Sequence, residues 1–125
     1  PDLSHQQLDD IIDYCLRSAI DGIVAGNTTR SRDGITSISK EKIEAIGNGG
    51  MSGAPLYSKN LELVKYVHAK SEGKLPIIGV GGIMSPEQAK EMMDAGASLV
   101  EIYSGFIYEG PALIKNINKH LENTL

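Results

Sequence analysis

Two short apolar runs that each meet glycine constrain the fold of this chain most. Residues 75–83 read Leu-Pro-Ile-Ile-Gly-Val-Gly-Gly-Ile, and residues 99–107 read Leu-Val-Glu-Ile-Tyr-Ser-Gly-Phe-Ile. Buried strands of a parallel sheet are short apolar runs, and glycine-rich turns beyond their C-terminal ends can present backbone N–H groups to a phosphate. The two runs therefore predict neighbouring buried strands that share a phosphate-binding site.

Apolar spacing and capping residues predict one helix followed by three strand–helix units. Ser4 and Gln7 resemble a capping box, residues 8–19 follow helical spacing, and residues 23–25 form a short apolar strand. Later helical faces fall at 61–67, 89–93 and 113–121, with a second capping-box-like start at Ser85. This order predicts an α/β fold with a parallel sheet, in which three strands cannot close a barrel.

The interval 30–56 has no clear period. It contains a possible short helix at 40–46 and a glycine cluster at 47–53. Unstructured loops longer than about 12–15 residues usually have a function. We therefore expect a lid or substrate loop here.

Composition limits the class of protein. The 125 residues are 41% hydrophobic and 22% charged, as expected for one packed, soluble domain with no second domain. A net charge of −4 without a basic, aromatic-rich block argues against nucleic acid, and the single cysteine excludes an internal disulfide. No run reaches the ~20 apolar residues of a membrane-spanning helix. The start at Pro1, without a methionine, predicts a processed product or a piece of a longer protein.

Polar residues at the predicted strand ends are the candidate ligand contacts. Asn27 and Thr28 follow the first strand, where an amide and a hydroxyl suit the edge of a planar polar ligand, although simple turn hydrogen bonds explain them equally well. Gly81–Gly82 and Ser104–Gly105 leave backbone N–H groups open to a phosphate.

Other side chains do not form a recognisable catalytic or metal motif. His5, His68 and His120 lack ligand spacing and are expected on helix surfaces or in helix packing. Arg30 and Arg32 are expected to be solvated loop residues. We predict no metal site and no catalytic residue within this segment.

Five motifs taken together resemble one family. They are Asn-Thr-Thr at 27–29, Gly-Gly-Met-Ser-Gly-Ala-Pro-Leu at 49–56, the run at 75–83, Ala-Gly-Ala-Ser-Leu-Val at 95–100 and Ile-Tyr-Ser-Gly-Phe at 102–106. Their order is similar to the C-terminal part of the dihydroorotate dehydrogenases, best of all the quinone-dependent class 2. The resemblance implies that residues 1–125 are part of an FMN-binding (β/α)₈ TIM barrel. It also implies oxidation of dihydroorotate to orotate in pyrimidine biosynthesis, with a quinone acceptor, at the cytoplasmic side of the cell membrane.

The resemblance also implies roles for seven residues. Asn27 and Thr28 would contact the pyrimidine. The residues that would contact FMN are Gly26, Gly53, Gly82, Tyr103 and Ser104, the last three through N–H groups around its phosphate. At Gly26 the family often has threonine, so here only the backbone could make that contact.

The family's catalytic serine, a flavin-contacting lysine and the N-terminal helices that meet the membrane and admit quinone all precede the region that this chain matches. We therefore expect the segment alone to be inactive. Two alternatives stay open: a non-catalytic phosphate-binding half-barrel that self-associates through open sheet edges, and a different phosphate-binding barrel that is an isomerase or lyase.

Overall fold

The computed structural model describes residues 1–124 and shows three strands among six α-helices. The strands are β1 (Ile23–Ala25), β2 (Ile77–Val80) and β3 (Leu99–Glu101). The helices are α1 (His5–Arg17), α2 (Lys40–Ile46), α3 (Tyr57–Lys70), α4 (Pro86–Asp94), α5 (Ser104–Glu109) and α6 (Pro111–Glu122), with a 3₁₀ turn at Ala54–Leu56 before α3.

The strands form one parallel sheet in the order β1-β2-β3. Ala25 and Val100 both pair with Gly79, so the three strands end at the same edge of the sheet. Helix α3 lies between β1 and β2 in sequence, and α4 lies between β2 and β3. The predicted α/β fold with a parallel sheet is confirmed, and the sheet is open at β1 and β3.

One face of this sheet is covered by helices. Buried side chains from α1, α3, α4, α6 and β2 form one continuous core, whose main members are Ile12, Val64, Val67, Ile77, Ala89, Met92, Leu113 and Ile117. The other face is open, because Val24 is 53% exposed and Leu99 is 61% exposed. The prediction of fully buried strands is therefore wrong for β1 and β3, since it assumes helices on both faces.

Local capping explains where several helices begin. At α1 the predicted capping box is confirmed: Ser4 Oγ accepts from the Gln7 N–H, and Gln7 Oε1 accepts from the Ser4 N–H at 2.9 Å. At α4, Ser85 accepts from the Gln88 N–H, but the Gln88 side chain accepts from the Met84 N–H at 2.8 Å. The second box is therefore shifted by one residue.

The segment after β3 differs from the prediction. The sequence predicted a strand at 99–103 and a turn after it, whereas the strand ends at Glu101 and a helix that was not predicted, α5, begins at Ser104. Gly105 is buried, and a side chain there would overlap the carbonyl oxygen of Ile83. This close approach holds the start of α5 beside the turn that follows β2.

No helix within residues 1–124 is both long enough and apolar enough to cross a membrane.

Candidate functional site

A cavity of about 380 Å³ lies at the C-terminal edge of the sheet. All seven predicted site residues lie around it, on turns that follow three different strands and on the glycine-rich segment: Gly26, Asn27, Thr28, Gly53, Gly82, Tyr103 and Ser104. The structure also places Ser52, Leu56, Val80, Gly81, Ile83 and Glu101 in its wall. One cavity can therefore hold one ligand against all the turns that the sequence singled out.

The turn after β2 requires glycine at two successive positions. Gly81 and Gly82 have φ values of 105° and 83°, a region that L side chains rarely adopt. A Cβ on Gly81 would overlap the side-chain nitrogen of Asn60, and one on Gly82 would lie 2.6 Å from the Cα of Tyr57. The turn is thus pressed against the start of α3 with its backbone facing the cavity.

Tyr57 holds that side of the cavity in place. Its hydroxyl donates to Glu91 Oε2 at 2.6 Å and lies 3.1 Å from the carbonyl oxygen of Gln88. Burial, followed by the hydrogen bond to the Glu91 carboxylate, raises the pKa of the Tyr57 hydroxyl. Because this contact joins α3 to α4, the backbone of Tyr57 is a firm support for Gly82.

Backbone N–H groups from two turns are free to bind an anion. Within residues 1–124, the N–H groups of Gly82, Tyr103 and Ser104 donate to no carbonyl in the turns, loops and helix caps, and to no side chain. All three residues line the cavity. Free backbone N–H groups in glycine-rich turns and at a helix start are a common means by which a protein binds phosphate.

The glycine-rich segment closes another wall. Gly53 is buried at a φ of 89°, and Ser104 Oγ donates to Ser52 Oγ at 3.1 Å. This contact connects the long loop to the start of α5. The loop therefore contributes to the cavity wall, and its role as a lid or substrate loop stays a prediction.

The turn after β1 presents polar side chains to the cavity. Gly26 has a φ of 126°, and a Cβ there would overlap the carbonyl oxygen of Val80. Asn27 Oδ1 accepts from the Thr28 N–H at 2.8 Å, so the turn hydrogen bond considered from the sequence is present. Asn27 Nδ2 and the Thr28 hydroxyl donate to no acceptor within residues 1–124 and remain available to a ligand.

Thr29 connects this turn to distant segments. Its N–H donates to the Met51 carbonyl at 3.1 Å, and the Met51 N–H donates back at 2.8 Å. Its hydroxyl donates to Asp2 Oδ1 at 2.6 Å. Arg32 is partly buried and donates to the carbonyl oxygens of Thr29 and Gly49. The expectation that Arg32 is a solvated loop residue is therefore wrong.

Glu101 is a cavity residue that the sequence reasoning missed. Val100 and Ile102 pack against the core, so alternation along β3 places Glu101 on the opposite face. This alternation was visible in the sequence. A carboxylate only accepts hydrogen bonds and repels phosphate, so the ligand atoms beside Glu101 must carry donors.

The histidines lie on helices, as expected. His5 stacks on Tyr66 with ring centroids 4.6 Å apart, and the His68 ring fills the space that a side chain on Gly96 would need. Within residues 1–124, no three His, Cys, Asp or Glu side chains come together as metal ligands would.

Comparisons with known proteins agree with one another. A family model described as dihydroorotate dehydrogenase matches residues 1–125. The dihydroorotate dehydrogenase (quinone) of Christiangramia forsetii is 49% identical over 121 residues, which cover 97% of this chain and 34% of that protein. That of Edwardsiella ictaluri is 48% identical over 121 residues, covering 97% and 35%.

Solved structures show the same similarity. The ligand-free DHODH of Eimeria tenella superposes with a TM-score of 0.87 at 34% identity, covering 98% of this chain and 33% of that one. The ferulenol complex of the Eimeria tenella DHODH gives a TM-score of 0.88 at 34% identity, covering 99% and 32%. The chain spans about a third of the length of the curated relatives that it matches.

Proposed function

The chain belongs to the dihydroorotate dehydrogenase family, and from this premise we propose that it forms the C-terminal part of an FMN-dependent (β/α)₈ barrel. The full-length protein oxidises dihydroorotate to orotate in pyrimidine biosynthesis and passes the electrons to a quinone. One observation carries the proposal: three residues with free N–H groups and the Asn27–Thr28 pair line a single cavity at the C-terminal edge of the sheet.

The cavity fits FMN in both size and chemistry. Its volume of about 380 Å³ lies within the usual range for cofactor sites. The phosphate would accept from the N–H groups of Gly82, Tyr103 and Ser104, while Gly26 and Gly53 would let the backbone approach the rest of the cofactor. FMN, when bound, supplies the acceptor for the substrate's hydride.

Glu101 would orient the cofactor. Its carboxylate lines the same cavity but repels the phosphate, so it would accept from hydroxyl groups of the ribityl chain. The free N–H groups would therefore bind the phosphate end of the ribityl phosphate chain, and the Glu101 carboxylate would bind its hydroxyl groups.

Asn27 and Thr28 would bind the pyrimidine. The Asn27 amide retains free donors, and the Thr28 hydroxyl can both donate and accept, which matches a ring that alternates carbonyl and N–H groups. These contacts would hold the ring but would not remove its proton. Removal of a proton from carbon needs a positioned base, typically contributing roughly 10²–10⁴-fold, and by the family resemblance that serine precedes this segment.

We therefore propose that the isolated segment does not turn over substrate. The edges of β1 and β3 would pair with preceding strands of the barrel, and in the isolated segment they are open to self-association. By the same resemblance, the N-terminal part would bring the full-length protein to the membrane and admit the quinone.

Anaerobic mixing of the full-length protein with dihydroorotate tests the proposal. We expect the purified protein to be yellow, its flavin absorbance to bleach on addition of dihydroorotate, and orotate to appear in equal amount. A bound flavin that dihydroorotate does not reduce would overturn the substrate assignment. Purified protein that contains no flavin and does not bind added FMN would overturn the cofactor assignment, and would favour the phosphate-binding isomerase or lyase.

A further inference from the structure

We propose that Asp2 is a positioning residue for the pyrimidine: it acts through Thr29 to fix the turn that carries Asn27 and Thr28. The proposal rests on the proposed function, because it takes the pyrimidine to lie beside this turn. Asp2 itself does not line the cavity between the three strand ends.

The contact between Asp2 and the turn uses both carboxylate oxygens. Oδ1 accepts from the Thr29 hydroxyl at 2.6 Å, and Oδ2 accepts from the Arg30 N–H at 2.8 Å. Thr29 is only 1% exposed, and its hydroxyl oxygen also accepts from the Ser31 N–H at 3.1 Å. The carboxylate thus fixes two successive residues, and the first of them is directly bonded to Thr28.

Thr29 also holds the glycine-rich segment at 47–53 in place. Thr29 and Met51 exchange two backbone hydrogen bonds, and a Cβ on Gly50 would overlap the Thr28 side chain. A displacement of Thr29 would therefore change the position of Thr28 relative to Gly50. Asp2 sets the spacing between the substrate turn and the loop that leads to the cofactor wall.

The charge of the Asp2 carboxylate supports its role in positioning the turn. The Thr29 hydroxyl, and then the Arg30 N–H, hold the pKa of the Asp2 carboxyl below its usual range. The group is ionised at neutral pH and is an acceptor for both donors. In an Asp2→Asn variant one oxygen becomes an NH₂ group, which cannot accept, so one of the two donors loses its partner.

The test uses the full-length protein with FMN bound. Orotate binding is titrated through the change that it causes in the flavin absorbance, and FMN content, KM and kcat are measured alongside. For Asp2→Asn we expect the dissociation constant for orotate and the KM for dihydroorotate to rise about tenfold, since misplaced contacts weaken binding steeply. FMN content should remain at the wild-type level.

Asp9→Asn is the matched control. Asp9 also accepts from two donors, the Tyr66 hydroxyl at 2.7 Å and Lys70 Nζ at 3.0 Å, and those bonds likewise lower the pKa of its carboxyl. It joins α1 to α3 and does not touch the substrate turn. This variant should lower stability without changing orotate binding.

A second pair of variants removes only the hydroxyl. Thr29→Val has nearly the same shape and should reproduce the loss of orotate binding, whereas Thr29→Ser keeps the hydroxyl and should bind like wild type. The role of Asp2 would be overturned if Asp2→Asn or Thr29→Val bound orotate as tightly as Asp9→Asn does. It would also be overturned if both of these variants failed to fold while Asp9→Asn folded. A wild-type flavin that does not respond to orotate would instead overturn the proposed function, and with it this assignment.

Discussion

Replacement of Gly82 by alanine tests whether the phosphate-facing turn depends on its close approach to α3. Gly82 has a φ of 83°, and a Cβ there would lie 2.6 Å from the Cα of Tyr57. Gly110 is a matched control, because its φ is 68° and a Cβ would meet nothing within 4 Å. The two alanine variants share the cost of a positive-φ backbone and differ in steric overlap.

The expected loss of FMN affinity in Gly82→Ala follows from these distances. A positive-φ conformation that favours glycine costs another residue roughly 1–3 kcal/mol, and this applies to both variants. Carbon atoms pack at about 3.5–4.0 Å, so the turn must retreat by about 1 Å in Gly82→Ala. A hydrogen bond of about 2.9 Å does not survive such a shift. Loss of one hydrogen bond to a charged phosphate, about 1.5–3 kcal/mol, corresponds to roughly ten- to a hundredfold weaker FMN binding.

The assay is a fluorescence titration of the full-length apoprotein with FMN, paired with urea unfolding of both variants. Both should lose about 1–3 kcal/mol of unfolding free energy because alanine is strained at a positive φ, and Gly82→Ala should lose more because of its steric overlap. Only Gly82→Ala should bind FMN more weakly. Equal FMN affinity in the two variants would refute the assignment of this turn to the phosphate.

Three further predictions concern the cavity wall and the carboxylates. Glu101→Gln keeps an acceptor and should bind FMN within about threefold of wild type, whereas Glu101→Leu should bind roughly tenfold more weakly; equal binding would contradict the contact with the ribityl chain. Ser52→Ala and Ser104→Ala should each lower the unfolding free energy by about 0.5–1.5 kcal/mol in urea, less than additively when combined. FMN binding should persist in Ser104→Ala, because the phosphate is held by the backbone, and its loss would show that the hydroxyl is the ligand. Because the pKa values of Asp2 and Asp9 lie below 3.8 in the folded chain, their contribution to stability is present above that pH and is lost as the pH falls through the folded-state values. Urea unfolding should show this loss, and the double Asn variant should show less of it.

Much of the fold was predictable because it depends on local patterns. Apolar spacing located the helices α1, α3, α4 and α6, and short apolar runs located the strands within one or two residues. Because parallel strands all end at one edge, residues that follow them converge there whatever their separation in sequence. That rule brought Asn27, Gly82 and Ser104 to one cavity.

Features that depend on contacts between distant segments were not predictable. Phe106, Ile107 and Tyr108 favour a strand by propensity, but they lie in α5. The contact of Gly105 with Ile83 decides the position of that helix. The exposure of β1 and β3 also escaped prediction, because periodicity identifies an apolar strand but does not say whether both faces are covered.

Asp2 illustrates the same limit at the site. Nothing in its neighbours distinguishes this carboxylate from other acidic residues near a helix start. Its partner Thr29 lies 27 residues away and meets it only after the chain has folded around α1. Pairs of this kind have no local sequence signal.

The bridge between Thr29 and Met51 has a consequence for the variability of the protein. The bridge fixes both ends of the loop between Thr29 and Met51. The length of the loop beyond the bridge is therefore not constrained by the cavity. Doubling the length of a flexible loop costs only about 0.6 kcal/mol. The exposed residues 36–38, which precede α2, could therefore accept an inserted peptide or a fluorescent label without altering the cavity walls.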